Sequence, residues 1–243
     1  MKDYLQDIIE HVHALGNIDL VKITGTTTET QVNAIADDRT VIVSGTFKNP
    51  NAEFIGTFGM PNLGKLKTIL SFEEYDDKAK INMTYRDREG VQTPEAIHFE
   101  TAGGDFLNDY RLMAKNIVEE KVKNVTYKGK GWNVEFQPTV ASIQRLKKQA
   151  SANSEEQYFV TSVVGGELKI FFGDASTHSG SFTFASGLTG SMSQKLKFPV
   201  TQVLNILNLQ GDKTFRITDE GAGEITVDSG LATYRFLLPA QTK

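Results

Sequence analysis

Cysteine is absent from the 243 residues, so no disulfide and no thiolate metal centre can form, and a reducing compartment suits the chain. Long apolar runs are missing too: nothing approaches the ~18 consecutive residues of a membrane helix. Asp7 and Glu10 interrupt the N-terminal segment, which excludes a secretory h-region there. Net positive charge is also lacking. The formal charge is −4, so a simple basic nucleic-acid binder is excluded and any phosphate-facing surface must come from segregated basic residues.

Catalytic signatures are missing as well: there is no P-loop, no Gly-x-Ser-x-Gly and no dinucleotide fingerprint. The histidines are His11, His13, His98 and His178. His11 and His13 stand two apart on an expected helix, so they point away from each other and cannot chelate jointly. They read as solvated surface groups. The acidic pairs Glu73-Glu74 and Asp76-Asp77 follow a helix and precede a strand, with no third ligand in view, so they read as a charged turn. The expectation is a non-enzyme with no metal and no cofactor.

What is present is an ordinary globular balance, 39% hydrophobic and 23% charged, with a repeated plan. Four segments have helical spacing. Lys2–Leu15 carries Leu5, Ile8, Ile9, Val12 and Leu15 on one stripe, and Asn62–Ser71 carries Leu63, Leu66, Ile69 and Leu70. A third begins near Pro138 with Val140, Ile143, Leu146 and Ala150. A fourth runs from Pro199 to Gly211 with Val200, Val203, Leu204, Ile206 and Leu207.

Strand-like runs rich in β-branched and aromatic residues lie between them. In the first half they are Asp19–Thr24, Thr30–Ile35, Thr40–Phe47, Phe54–Phe58, Ile81–Tyr85 and Ala96–Thr101. In the second they are Trp132–Phe136, Tyr158–Val164, Glu167–Phe172, Ser181–Ala185, Lys195–Phe198, Thr214–Thr218, Gly223–Val227 and Ala232–Leu238. The order helix, strands, helix, strands occurs twice, with Leu5 aligning near Val140 and Leu66 near Val203. Asp77-Lys78 recurs as Asp212-Lys213. A duplicated α+β chain follows, with domains over 1–114 and 129–243 and a charged connector over 115–128.

Three stretches resemble the sliding clamps of T-even-like bacteriophages. They are Phe58–Leu70, a strand-to-helix junction; Trp132–Gly173, a strand, basic helix and hairpin; and Phe198–Ala240, with its Val-Asp-Ser-Gly-Leu-Ala turn and Phe-Leu-Leu-Pro-Ala ending. The resemblance implies a homotrimeric ring of two-domain subunits, with helices lining a hole for duplex DNA and antiparallel sheets outside. It further implies DNA polymerase and a clamp loader as partners, and the cytoplasm of the bacterial host as the setting.

A sliding surface should offer charge to phosphates without reading bases. Arg145, Lys147 and Lys148 on the third helix, with Lys65 and Lys67 flanking the second, fit that role. The fourth helix offers uncharged Thr201, Asn205 and Asn208. The first presents Asp3, Gln6, Asp7, Glu10 and His13, an acidic face; either it tilts away from DNA or the hole is weakly charged. The resemblance also implies a partner-peptide pocket at Ile117, Val118, Leu237, Leu238 and Pro239. Ring closure needs free sheet edges, for which Ala96–Thr101 and Ser181–Ala185 are the expected strands. The competing class is a β-rich, oligomeric virion or tail protein.

Overall fold

The computed structural model describes residues 1–88, 90–174, 176 and 178–241, of residue 88 the backbone only. The chain divides into two compact units, Met1–Val125 with Ser229–Tyr234, and Thr126–Asp228 with Arg235–Lys243. Unit 1 runs α1 (Lys2–His11), a 3-10 turn (His13–Leu15), β1 (Leu20–Gly25), β2 (Thr30–Ile35), β3 (Ile42–Phe47) and β4 (Gly56–Pro61). It continues with α2 (Leu63–Leu70), β5 (Lys80–Arg88), β6 (Val91–Glu100), β7 (Leu107–Arg111) and α3 (Lys115–Lys121). Unit 2 opens with β8 (Val134–Phe136), α4 (Val140–Ala152), β9 (Tyr158–Val164), β10 (Glu167–Phe172) and β11 (Gly180–Ser186). It closes with β12 (Leu196–Pro199), α5 (Val200–Asn208), β13 (Asp212–Thr218), β14 (Ala222–Asp228) and β15 (Ala232–Pro239).

The duplication is visible in the strand order. Unit 1 has the sheets β4-β1-β2-β3 and β5-β6-β7, and unit 2 has β12-β9-β10-β11 and β8-β13-β14-β15. Position by position, β1 to β7 correspond to β9 to β15, and β8 has no counterpart. The pairings are antiparallel; consecutive partners are joined by hairpins, whereas β1–β4 and β9–β12 pair across intervening strands.

Helices pack because their apolar spacing matches their pitch. Leu63, Leu66, Ile69 and Leu70 of α2 are all buried, and so are Val200, Val203, Ile206 and Leu207 at the equivalent places of α5. Each such side chain contributes about 1.5–3 kcal/mol. Within each unit the two major helices touch, α1 with α2 and α4 with α5. The inward rows of β9 and β10, Phe159, Thr161, Val163, Leu168, Ile170 and Phe172, are buried under the α4 and α5 side of unit 2.

Three expectations need correction. The third helix starts near Pro138 as expected, at Val140, but its buried stripe differs, because Thr139 caps it: its hydroxyl oxygen accepts the Ser142 N–H at 3.1 Å. That start turns Ser142 and Leu146 inward and leaves Val140 78% exposed. Second, Ala96–Thr101 is not a free edge. It lies mostly in β6, flanked by β5 and β7, and the strand β7 outside it was not foreseen. Third, part of the expected connector is the helix α3, whose Val118 is fully buried within unit 1.

The segment that opens β15 belongs to unit 1, where Tyr234 is fully buried. Its hydroxyl donates to Asp7 Oδ2 at 2.7 Å, and the His11 ring stacks on its own ring at 5.0 Å between centroids. Gly45 on β3 makes room, since a Cβ there would stand 2.8 Å from the Tyr234 ring. Burial, together with the Asp7 charge, drives the phenol pKa well above its ordinary value, so Tyr234 stays a neutral donor. Tyr234→Phe leaves the buried Asp7 carboxylate short of a partner. The expected loss is about 1–3 kcal/mol of unfolding free energy, read from urea melts. An unchanged midpoint would remove this contact from the stability of unit 1.

Candidate nucleic-acid interface

The exposed helix faces divide by charge. Lys65 and Lys67 of α2 are exposed, as are Arg145 and Lys148 of α4, with Lys147 half-buried beside them. None of the five takes part in an ion pair among the described residues. Their charges are available to solvent or to phosphate. On α5, Thr201 and Asn208 are exposed and Asn205 half-buried, so that face is polar and neutral.

α1 is less acidic outside than its sequence suggests. Asp7 is buried, held by Tyr234, with the His11 ring 3.4 Å from its second oxygen. The exposed acids are Asp3 and Glu10, with Gln6 half-buried. His11 is likewise a core residue rather than a solvated one, its Nδ1 2.9 Å from the Asp7 carbonyl oxygen. His13 stays half-exposed and packs beside Gly64 of α2. Asp19 sits at the start of α2, where its carboxylate accepts the Gly64 N–H at 3.3 Å.

The other foreseen site residues are divided between surface and core. Ile117 is 44% exposed, whereas Val118 is fully buried. Leu238 is fully buried, with Leu237 and Pro239 half-buried at either side. A cavity of about 650 Å³ in unit 1 is walled by Lys115, Asn116 and Glu119 of α3 and by Pro94, Arg111 and Leu112; neither Ile117 nor Val118 lines it. The acidic turn after α2 carries no metal cluster among the described residues. Its Tyr75 is buried between Phe72, Phe99 and Phe106, which makes the turn a structural plug.

Sequence reasoning missed what fastens α3. Gly59 on β4 and Met113 exchange backbone hydrogen bonds at 2.9 and 2.8 Å, which brings the chain across the outer side of β4. Val118 then fills the space over Gly59, where a Cβ would lie 2.8 Å from its Cγ2. Lys22 of β1 completes the seat: its Nζ donates to the Val122 carbonyl at 2.8 Å and to Asn124 Oδ1 at 2.5 Å. Val122 is the C-cap of α3, so an ammonium stands where the helix's last carbonyls are unsatisfied. Burial lowers the Lys22 pKa, and Glu119 opposes that shift. A lone lysine inside the apolar run Leu20–Ile23 was the available signal.

Edges matter for assembly. Within unit 1, β3 is flanked by β2 and by the segment that opens β15, where Lys48 N–H donates to the Leu231 carbonyl at 2.9 Å. β11, the counterpart of β3, and β7, the counterpart of β15, each end a sheet. Phe106 and Leu107 at β7 are 36% and 54% exposed. The outer edge of β5 differs: it is broken by a register shift at Thr84/Tyr85 and carries Lys80, Arg86 and Asp87, features that discourage strand addition. His98 braces β6 to β7 through Asp109 at 2.8 Å, with Glu100 of its own strand 3.5 Å away, and the hydrogen bond to the Asp109 carboxylate raises its pKa above the ordinary value.

The fold has solved relatives. The PCNA of A. fulgidus, in a structure with the C-terminal region of FEN-1 bound, is similar over 100% of this chain and 96% of its own, with TM-score 0.71 and 11% identity. PCNA from Thermococcus kodakaraensis is similar over 98% of this chain and 97% of its own, with TM-score 0.67 and 13% identity. Proliferating Cellular Nuclear Antigen from Entamoeba histolytica gives 99%, 94%, 0.68 and 12%. No protein-family model and no curated protein sequence matches the chain. At such identities the likeness establishes the fold, helices packed on antiparallel sheets in each of two similar units.

Lys22→Met tests the seat of α3. Removing the ammonium leaves the Val122 carbonyl and Asn124 without their donor. Amide hydrogen exchange over 117–122 should then speed up roughly tenfold, equivalent to about 1.4 kcal/mol of local opening, while β2 and β3 keep their protection. Exchange unchanged over 117–122 would assign α3's hold to Val118 alone.

Proposed function

We propose that the chain is a sliding clamp, a non-enzymatic ring that encircles duplex DNA and keeps a replicative DNA polymerase on its template. The observation that carries this reading is the duplicated unit with two edge strands, β7 and β11, that are the counterparts of the paired strands β15 and β3, in a fold that matches PCNA from end to end. The pairing of β3 with the opening of β15 gives the rule: a β3-type strand takes a β15-type strand. Between copies, the same rule joins β11 of one chain to β7 of the next, head to tail. Heterologous contacts of this kind close into a ring when the rotation allows, and the phage resemblance gives three copies.

The unpaired cations support the DNA reading. Arg145, Lys147 and Lys148 with Lys65 and Lys67 are contacts for phosphate, which position duplex DNA without reading its sequence. The FEN-1 segment bound to the A. fulgidus protein supports partner peptides as clients of this fold. A polymerase, and a loader that opens the ring, complete the machinery, with a T-even-like phage replicating in its bacterial host as the setting. The likeness to PCNA favours this reading over a virion or tail protein.

Light scattering on the eluting peak should give a discrete trimer, and Leu107→Asp on β7 should shift it toward monomer. A wild-type monomer or an open polymer would overturn the ring. Arg145→Glu with Lys148→Glu should leave the trimer intact and reduce stimulation of primer extension on duplex DNA, with the deficit growing as salt falls. Stimulation equal to wild type from low to physiological salt would remove α4 from the DNA path.

A further inference from the structure

The duplication gives the two edge strands, β7 and β11, counterparts whose neighbours are known. On β1, Lys22 stands opposite Gly59 of β4 and Asn33 of β2. On β9, Val160 stands opposite Lys197 of β12 and Phe171 of β10. The chain leaving β7 bridges Gly59 through Met113, and the chain leaving β15 bridges Lys197 through Gln241. These are the same row of the two units, covered by α3 in unit 1 and left under an open groove of about 930 Å³ by the described residues of unit 2. Asn33 and Phe171 of that row stand opposite Ser44 and Ser181, so Gly45 of β3 corresponds to Phe182 of β11. Counting back from Met113 and Gln241, Phe106, just before β7, corresponds to Tyr234 of β15.

The paired counterparts show how such a seam closes. Lys48 N–H donates to the Leu231 carbonyl, and Gly45 faces the Tyr234 ring. These two contacts step in opposite directions along the two strands, so the strands run antiparallel with Gly45 beside Tyr234. Tyr234 leans across the seam onto Asp7 and His11 of α1, and the glycine leaves it room. At the free edges each of these parts is changed. Phe106 has no hydroxyl and leans back on its own unit, its ring centroid 5.8 Å from Phe72 and 5.5 Å from Tyr75, and it stays 36% exposed. On α4 the buried residues at the spacing of Asp7 and His11 are Ser142 and Leu146, which carry no charge. Phe182 supplies the ring that Gly45 lacks. It stands opposite the buried Ile170, on the same face, and is itself only half-buried, its ring 6.1 Å from Phe184.

We infer that the seam between copies is keyed by Phe182 of one copy packing on Phe106 of the next, an apolar contact in place of the hydrogen bond from Tyr234 to Asp7. This rests on the ring reading above and adds to it the residues that select the partner strand. Both rings are incompletely covered in the single chain, and they occupy the two positions that meet at the closed seam of unit 1. Aromatic pairs of this kind add attraction beyond the area they bury. The two keys do not interchange. Against β11, the Tyr234 ring would fall where Phe182 already stands, and its hydroxyl would find no carboxylate. Against β3, Phe106 would leave the buried Asp7 without its donor. β11 is thereby open to β7 of another copy and closed to the strand that completes unit 1.

The chain has no cysteine, so paired cysteine substitutions report the seam directly. In the full chain under mild oxidation, Phe182→Cys with Phe106→Cys should give covalent species up to a trimer on a non-reducing gel, because facing residues of paired strands lie within disulfide reach. Phe182→Cys with Leu107→Cys should not, because Leu107 faces the other side of β7. Light scattering on dilution should show Phe182→Ala raising the dissociation concentration of the trimer about tenfold. Phe106→Leu, which still fills the space against Phe72 and Tyr75, should raise it less in the Phe182→Ala background than alone. A wild-type trimer in which the Phe106→Cys and Phe182→Cys pair does not link, or which Phe182→Ala leaves equally stable, would overturn the key and leave the ring. A wild-type monomer would overturn both. Covalent dimers from Phe182→Cys alone would assign β11 to the β11 of a second copy and overturn the key as well.

Discussion

A buried hydrogen bond between residues 227 positions apart, Tyr234 to Asp7, is the constraint on which unit 1 rests. It commits the opening of the last strand to the first helix, and it uses up an acid that would otherwise face solvent. An unpaired carboxylate at this depth would cost several kcal/mol, so the tyrosine hydroxyl and the His11 ring have to be there for Asp7 to be there. Gly45 is the accommodation on the other side, bare because the Tyr234 ring occupies the space of a side chain. The first unit is thus completed by Ser229–Tyr234, a segment far from the rest of it in sequence.

The duplicated scaffold then diverges by what covers it. α2 and α5 retain the same buried stripe and both units the same strand order, because burying an apolar helix face against a sheet leaves few alternatives. Outer faces are under no such restraint. A glycine at position 59 admits Val118, and a lysine at position 22 caps the helix that carries it; the equivalent positions hold Lys197 and Val160, which offer no such hole and no such cap. The same strand order and register therefore carry a filled seat in one unit and an open groove in the other.

Periodicity made most of this legible. The stripes of α2 and α5, the alternation of β9 and β10, and the two-unit order all follow from spacing that burial enforces. What escaped was set by single polar contacts. Asp7 lies on the apparent solvent face of α1, and nothing near it in sequence announces Tyr234. The phase of α4 turns on the Thr139 cap, which displaces Val140 from the core. β7 reads Leu-Asn-Asp-Tyr-Arg, and with only Tyr110 buried it has no apolar alternation to detect. The basic residues of α2 and α4 were found because exposed charge is written directly in composition and spacing.

Burial of Asp7 also bears on the charge that a chain of net −4 would present to DNA in the proposed role. Beyond roughly 8–10 Å at physiological salt, charges elsewhere on the surface are largely screened, so the local face matters more than the sum. The face of α1 loses one of its three acids to the core, while the cations of α2 and α4 stand without counter-ions. Neutral Thr201 and Asn208 on α5 add no fixed contact. Arg145 and the lysines of α2 and α4 offer a polyanion charge without base-reading geometry, while Asp3 and Glu10 stay exposed on α1 and temper that attraction. That balance is what the proposed sliding role would require.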